Sequence, residues 1–162
     1  MNILTEQLQR RHLPLLSDWL DRSEGALTPN DLPARAVALA AWFDRSAAQP
    51  GRLDCLTLVY ETPVGVASLL PLPGQPGAAE LRVLLGEVGY NALRTGTYVA
   101  LQMLDRAFLD LEFSRAAIRV YDRHAPFLQA LERMGFSRTD EREGLVFLAV
   151  GRDDFLRRKY LF

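Results

Sequence analysis

The sequence predicts a mixed α/β domain in which a mainly antiparallel central sheet carries helices on both faces. Three observations predict it. Helix-period segments open the chain, and three strand-like runs then follow one another at hairpin spacing between residues 55 and 85. After them, helical and strand-like segments alternate, the order of a β-α-β crossover. The whole reads as helices followed by β-β-β-α-β-α-β. No internal repeat, low-complexity stretch or linker interrupts it, so residues 1–162 are expected to form a single domain.

Each element has its own signal. Asn2-Ile3-Leu4 is short and apolar, an expected edge strand. Leu13, Leu16, Trp19 and Leu20 recur at helical spacing, which predicts a helix over Leu13–Leu20. Residues 21–30 are polar and read as a loop. Asn30-Asp31-Leu32-Pro33 resembles a helix start, with a capping side chain and a first-turn proline, and leads into a helix over Ala34–Phe43. Gln49-Pro50-Gly51 closes that unit. Cys55–Glu61 and Val64–Leu70 are rich in strand formers and lie at hairpin distance. Glu80–Leu85 follows a turn-rich connector over Pro71–Gly77, and its nearly continuous apolar run suits a central strand. Leu101, Leu104, Phe108 and Leu111 predict the longest helix, from about Thr97 to Phe113. Ala116–Tyr121 is the next strand. A helix over Pro126–Met134 ends at Gly135, a left-handed stop, with Phe136 as the apolar contact beyond it. Gly144–Val150 is a last strand, and Asp153–Tyr160 a short terminal helix.

Composition excludes several functions. Nineteen basic residues against 20 acidic ones give a net charge of −1, which does not suit a protein held to nucleic acid by bulk electrostatics. The single cysteine, Cys55, rules out an internal disulfide and a thiolate zinc cluster. Two histidines, His12 and His124, lie far apart in sequence, and no metal site is expected. The polar start from Met1 to Arg11 has no signal core, and no run approaches the ~20 apolar residues that cross a bilayer. A cytoplasmic location is the expectation. Eighteen of the basic residues are arginine, a bias that reads as genome composition.

Three pieces then carry a resemblance: the strand Glu80-Leu-Arg-Val-Leu-Leu85 ending in Gly86-Glu87; the segment Leu93-Arg-Thr-Gly-Thr-Tyr-Val-Ala-Leu101 leading into a long helix; and Val120–Phe136, with its strand, helix and closing Gly-Phe. Together they resemble the cofactor-binding core of the GNAT superfamily of N-acetyltransferases. Trp19 and Trp42 are similar to the subgroup that includes ribosomal-protein and amino-sugar acetyltransferases. The resemblance implies acetyl-coenzyme A as co-substrate, transfer of acetyl to a primary amine by direct attack, and no metal. The acceptor would be a small molecule, an amino sugar nucleotide or a protein N-terminus. Edge strands in such folds often pair, so a homodimer is open.

The implied cofactor site follows residue by residue. A glycine-containing turn at a helix N-terminus offers free N–H groups and a positive dipole end to a pyrophosphate; Arg94, Thr95, Gly96, Thr97 and Tyr98 stand there, and Arg94 adds a charged donor. The family's strand splay would expose backbone at Leu84 and Leu85 to the pantetheine arm. His124 occupies the family's usual Asn position, Phe127 a position often Ala or Ser, and Leu131 the frequent Tyr position. The glycine loop is thinner than the family's, with Gly96 alone.

For chemistry, Glu80 is the candidate base, directly or through water, or else a solvated strand-end carboxylate. Tyr121 is the candidate proton donor to the departing thiolate, with Tyr98 the second choice; either is alternatively a packing residue. Cys55 reads as a buried strand residue. Arg115, Arg119 and Arg123 share one strand face, either an anion-binding surface or a solvated sheet edge. The rival to the enzyme is a catalytically inactive module of the same fold that binds an acyl-coenzyme A or a protein partner.

Overall fold

The computed structural model describes residues 2–21, 26–33, 35–86 and 92–159. Among these residues seven strands form one sheet: β1 (Ile3–Gln7), β2 (Leu53–Val59), β3 (Thr62–Pro71), β4 (Ala78–Leu85), β5 (Arg115–Tyr121), β6 (Ser137–Arg142) and β7 (Leu145–Gly151). Their order is β1-β2-β3-β4-β5-β7-β6. All neighbours are antiparallel except β4 and β5, which the crossover through the longest helix makes parallel. Among the described residues five α-helices cover it: α1 (Leu13–Leu20), α2 (Ala36–Ala48), α3 (Ala92–Asp105), α4 (Ala125–Arg133) and α5 (Arg152–Arg158). The fold is the mixed sheet with helices on both faces that the sequence predicts.

Alternation along the strands builds two cores, because successive side chains point to opposite faces. Cys55, Ala67, Leu69, Leu81, Val83, Ile118, Val120 and Leu148 face α3 and α4 and meet Val99, Met103, Phe108, Phe127 and Leu131. Leu56 and Val66 face the other way, onto Leu16, Trp19, Leu39 and Trp42 of α1 and α2. Both tryptophans are thus core residues that hold these helices over β2 and β3. Gly86, just beyond β4, is required by that packing: a Cβ there would lie 2.0–2.2 Å from atoms of the Trp19 ring.

The hairpin linking β2 to β3 turns on Tyr60 (φ 47°) and Glu61 (φ 70°), and that linking β6 to β7 on Glu143 (φ 54°) and Gly144 (φ 77°). Positive φ at both central residues is what a two-residue hairpin needs to match the sheet twist.

Three expectations are corrected. The segment Arg94–Tyr98 is not a turn before a helix; α3 already begins at Ala92, so these residues are helical. Thr97 Oγ1 donates to Leu93 O at 2.8 Å inside the helix. The same helix does not run regularly to Phe113. Its last turn, Arg106–Asp110, widens to a π-turn, with Leu111 N donating to Arg106 O at 2.9 Å. And Ser137–Arg142, which the sequence reading passed over, is strand β6. Every one of its side chains is exposed, so it has no apolar alternation to betray it. Glu87, Ala34 and Tyr160, which the sequence reading placed at element ends, lie outside the described residues.

Candidate functional site

The sheet opens at one place. β4 and β5 pair from Ala78↔Arg115 to Leu81↔Ile118, after which neither strand pairs with the other, although β4 runs to Leu85 and β5 to Tyr121. The implied splay near Leu84 and Leu85 is therefore present as a wedge between parted strands. The two side chains differ in direction: Leu85 joins the core under α3, whereas Leu84 lies on the opposite face.

The wedge is filled by the chain itself. Ala26–Thr28 lies in it as a strap that bridges at Ala26 and bends at Leu27 and Thr28. Leu27 N donates to Val83 O (3.2 Å), Tyr121 N donates to Leu27 O (3.2 Å), and Val83 N donates to Thr28 Oγ1 (3.0 Å). Ala26 forms an isolated antiparallel bridge with Leu84. Val83 N and O on one parted edge and Tyr121 N on the other are thus paired, as buried backbone groups require. Thr28 is 1% exposed and Leu27 6%.

Gly96 belongs to this packing. A Cβ on it would stand 2.7 Å from Leu27 Cδ1 and 3.7 Å from the Phe127 ring. The glycine lets the strap's leucine close against α3, and Phe127 is buried beneath it. The space expected to be open around Gly96 is thus occupied by Leu27. Gly96 is the fifth residue of α3, so its amide lies inside the helix rather than in a free first turn. Arg94 is exposed there, and its guanidinium lies 5.9 Å from the Tyr98 ring. Thr95 is buried at the start of the same helix.

His124 closes the other end of the strap. It precedes α4 as its N-cap residue, and its Nε2 lies 3.1 Å from Ala26 O. A carbonyl oxygen only accepts, so Nε2 carries the hydrogen. Burial pushes the imidazole below its ordinary value of 6.5; the bond to Ala26 opposes this and the charge of Arg123 adds to it.

Beside α1 and α2, on the part of their face of the sheet that they do not reach, lies a chain of charges. Glu80, 8% exposed, receives Arg119 Nε at 2.9 Å on Oε2 and Arg82 Nη2 at 3.3 Å on Oε1. Arg82 reaches on to Asp31 at 3.4 Å, and Asp31 accepts from Arg52 (3.1 and 3.2 Å) and from Trp42 Nε1 (3.0 Å). Burial alone would raise the Asp31 pKa; the hydrogen bonds from Arg52 and Trp42 and the charges of Arg52 and Arg82 outweigh it and hold it below the ordinary carboxylate value. Glu80 is therefore a structured carboxylate rather than a solvated strand end. Two guanidinium partners leave part of its acceptor capacity unspent.

Tyr121 shares this face at the end of β5, half-buried, with the Arg123 guanidinium 4.5 Å from its ring. Tyr98 packs against the core beneath α3, so the two tyrosines are not side by side on one face. Leu131 is fully buried. Cys55 is buried too, with Arg106 Nη1 3.1 Å from its sulfur; burial raises the thiol to about 11. Among the described residues no group of three His, Cys, Asp or Glu is placed to hold a metal, and no helix is long and apolar enough to cross a membrane.

The structure brings together Glu80, Leu84, Tyr121, His124, Gly96 and Phe127 around the parted strands. Sequence reasoning missed Ala26–Thr28, Asp31 and Arg82. The strap's one local signal was a β-branched residue before proline at the end of a polar stretch.

Neither protein-family models nor curated proteins match the sequence. Solved structures do match in fold. A variant of the spermidine N-acetyltransferase SpeG from Vibrio cholerae superposes with a TM-score of 0.80 at 10% identity, over 97% of this chain and 98% of that one. FdhC, a nucleotide-linked sugar GNAT in its apo form, gives 0.78 at 11%, over 98% and 92%. The aminoglycoside acetyltransferase AAC(6')-Ib in complex with coenzyme A gives 0.76 at 17%, over 98% and 99%. The chain has the fold of GNAT N-acetyltransferases. Polyamine, sugar and aminoglycoside enzymes match about equally, so they single out no subgroup.

Proposed function

We propose that the protein is an acetyl-coenzyme A dependent N-acetyltransferase acting on a primary amine, and that its cofactor takes the place of the Ala26–Thr28 strap. One observation supports this above the rest. The wedge between β4 and β5 already binds an amide-bearing segment, with Leu27 N and O on Val83 O and Tyr121 N and the Thr28 hydroxyl on Val83 N. A pantetheine arm offers the same kind of partner. Val83, Leu84 and Tyr121 would hold that arm, and the first-turn amides of α3 with Arg94 would hold the pyrophosphate. The cofactor supplies the activated acetyl group. Glu80 orients the incoming amine and takes its proton directly or through water. Tyr121, on the same face at the mouth of the wedge, donates a proton to the departing sulfur. Tyr98 lies apart from these groups and has a packing role. His124 secures the strap and becomes available to the cofactor when the strap leaves.

The strap also favours a second reading, a catalytically inactive module whose wedge stays closed. Isothermal titration with acetyl-coenzyme A separates the two. Leu27→Ala removes the strap's apolar anchor, worth about 2 kcal/mol at the low end for a buried leucine. It should tighten cofactor binding by up to about 30-fold if strap and cofactor compete. Turnover on a panel of amines then identifies an enzyme. No heat of binding in either protein would leave only the module.

A further inference from the structure

Beside Glu80 the sheet carries a hollow of about 310 Å³, on the part of the α1 and α2 face that those helices do not reach. Its origin is plain in the register. Glu80, Ala117 and Ala149 stand in one row across β4, β5 and β7, and the two alanines leave room between larger neighbours. Leu72 and Phe147 form apolar walls, and Arg115 and Arg119 project from β5 two residues either side of Ala117. This volume is at the small end of the roughly 300–1,000 Å³ of ligand pockets, so its occupant is small.

The charge is one-sided. Arg115 is exposed, and the bond that its guanidinium makes is a long one to Gln75 Oε1 at 3.4 Å. Arg119 spends two donors on Glu80, out of five. Glu80 is the carboxylate among the lining residues, and Arg82 also neutralises it from behind. Arginine forks of this kind recognise carboxylate and phosphate.

We infer that this hollow binds the oxyanion of a small, partly apolar molecule on Arg115 and Arg119. Resting on the acetyltransferase reading, it names the acceptor: an amine that also bears a carboxylate or phosphate, with its nitrogen toward Glu80 and the parted strands. A polyamine is excluded, because its charges would face two arginines. The spermidine enzymes that share the fold are therefore not a guide to this substrate.

The test is binding without cofactor. The common amino acids, their uncharged amides, inorganic phosphate and spermidine are titrated by calorimetry or amide chemical shifts into the wild type and into Arg115→Ala, whose exposed side chain can be removed without loss of fold. At least one amino acid or phosphate should bind at least tenfold more tightly than the matching amide or spermidine, and Arg115→Ala should lose about tenfold. A phosphate preference would assign the anion to a phosphorylated amine; an amino acid preference would assign it to a carboxylate. Equal or tighter binding of the amide or spermidine, no effect of Arg115→Ala, or no binding at all overturns the inference. Titration with acetyl-coenzyme A runs separately. Anion binding without cofactor binding keeps the site and removes the enzyme. Cofactor binding with acetylation of uncharged amines, indifferent to Arg115→Ala, does the reverse.

Discussion

His124 illustrates how much one side chain can depend on its surroundings. Its neutral ring holds the strap through Ala26 O, and burial lowers its pKa. Between the folded and unfolded midpoints the unfolded chain binds more protons, so stability rises with pH in that window. This contribution is intact above pH 6.5 and is lost as pH falls through the folded midpoint. An NMR titration should place the His124 midpoint below 6.5, and His124→Asn should flatten the fall in melting temperature between pH 7.5 and 5.5. A midpoint at or above 6.5 would contradict the buried, strap-bound ring. Gly86 is a second residue whose identity is set by contact: Gly86→Ala forces a methyl into the Trp19 ring and should cost about 3 kcal/mol, read as a lower urea midpoint with unchanged slope. Cys55, with its thiol raised to about 11 by burial, should react with thiol reagents only on unfolding.

Among the elements, the strap is the one whose stability bears on function. Thr28→Val removes the acceptor for Val83 N and leaves that amide buried and unpaired, a loss of about 1–3 kcal/mol. Hydrogen exchange should rise across residues 26–28 and 82–85 and stay unchanged in β6 and β7. Uniform protection would mean that the strap is not a separable unit. The elements also show what a pattern can and cannot reveal. α1 is predicted residue for residue, because Leu13, Leu16 and Trp19 make one buried stripe. β6 escapes because none of its side chains is buried, so period two leaves no trace. The start of α3 is misplaced because threonine and glycine read locally as a turn; burial of Thr95, Gly96 and Val99 against other elements overrides that preference. The wedge follows from the β4–β5 crossover, but its occupant does not. A polar loop carries no sign of where in the fold it will lie.

At the scale of the whole molecule, the two cores lie back to back on shared strands. Cys55 and Leu56 are consecutive in β2 and point into different cores, as do Val66 and Ala67 in β3. Loss of either side would expose the apolar face of those shared strands, which couples the two. A single calorimetric transition, with the far-UV signal and tryptophan fluorescence changing together, is the expected outcome. Two separated transitions would mean that α1 and α2 unfold as an independent unit. By itself the sequence determined the order of elements apart from β6, the mixed sheet and the two-faced burial, since apolar periodicity reports which side of an element leaves water. Only the tertiary structure decided that Leu27 lies between β4 and α3, that Glu80 is held by Arg82 and Arg119, and that two alanines beside Arg115 leave a hollow. These are meetings of residues distant in the chain, set by strand register and crossover, and hydrophobic patterning carries no information about which polar side chains will face one another.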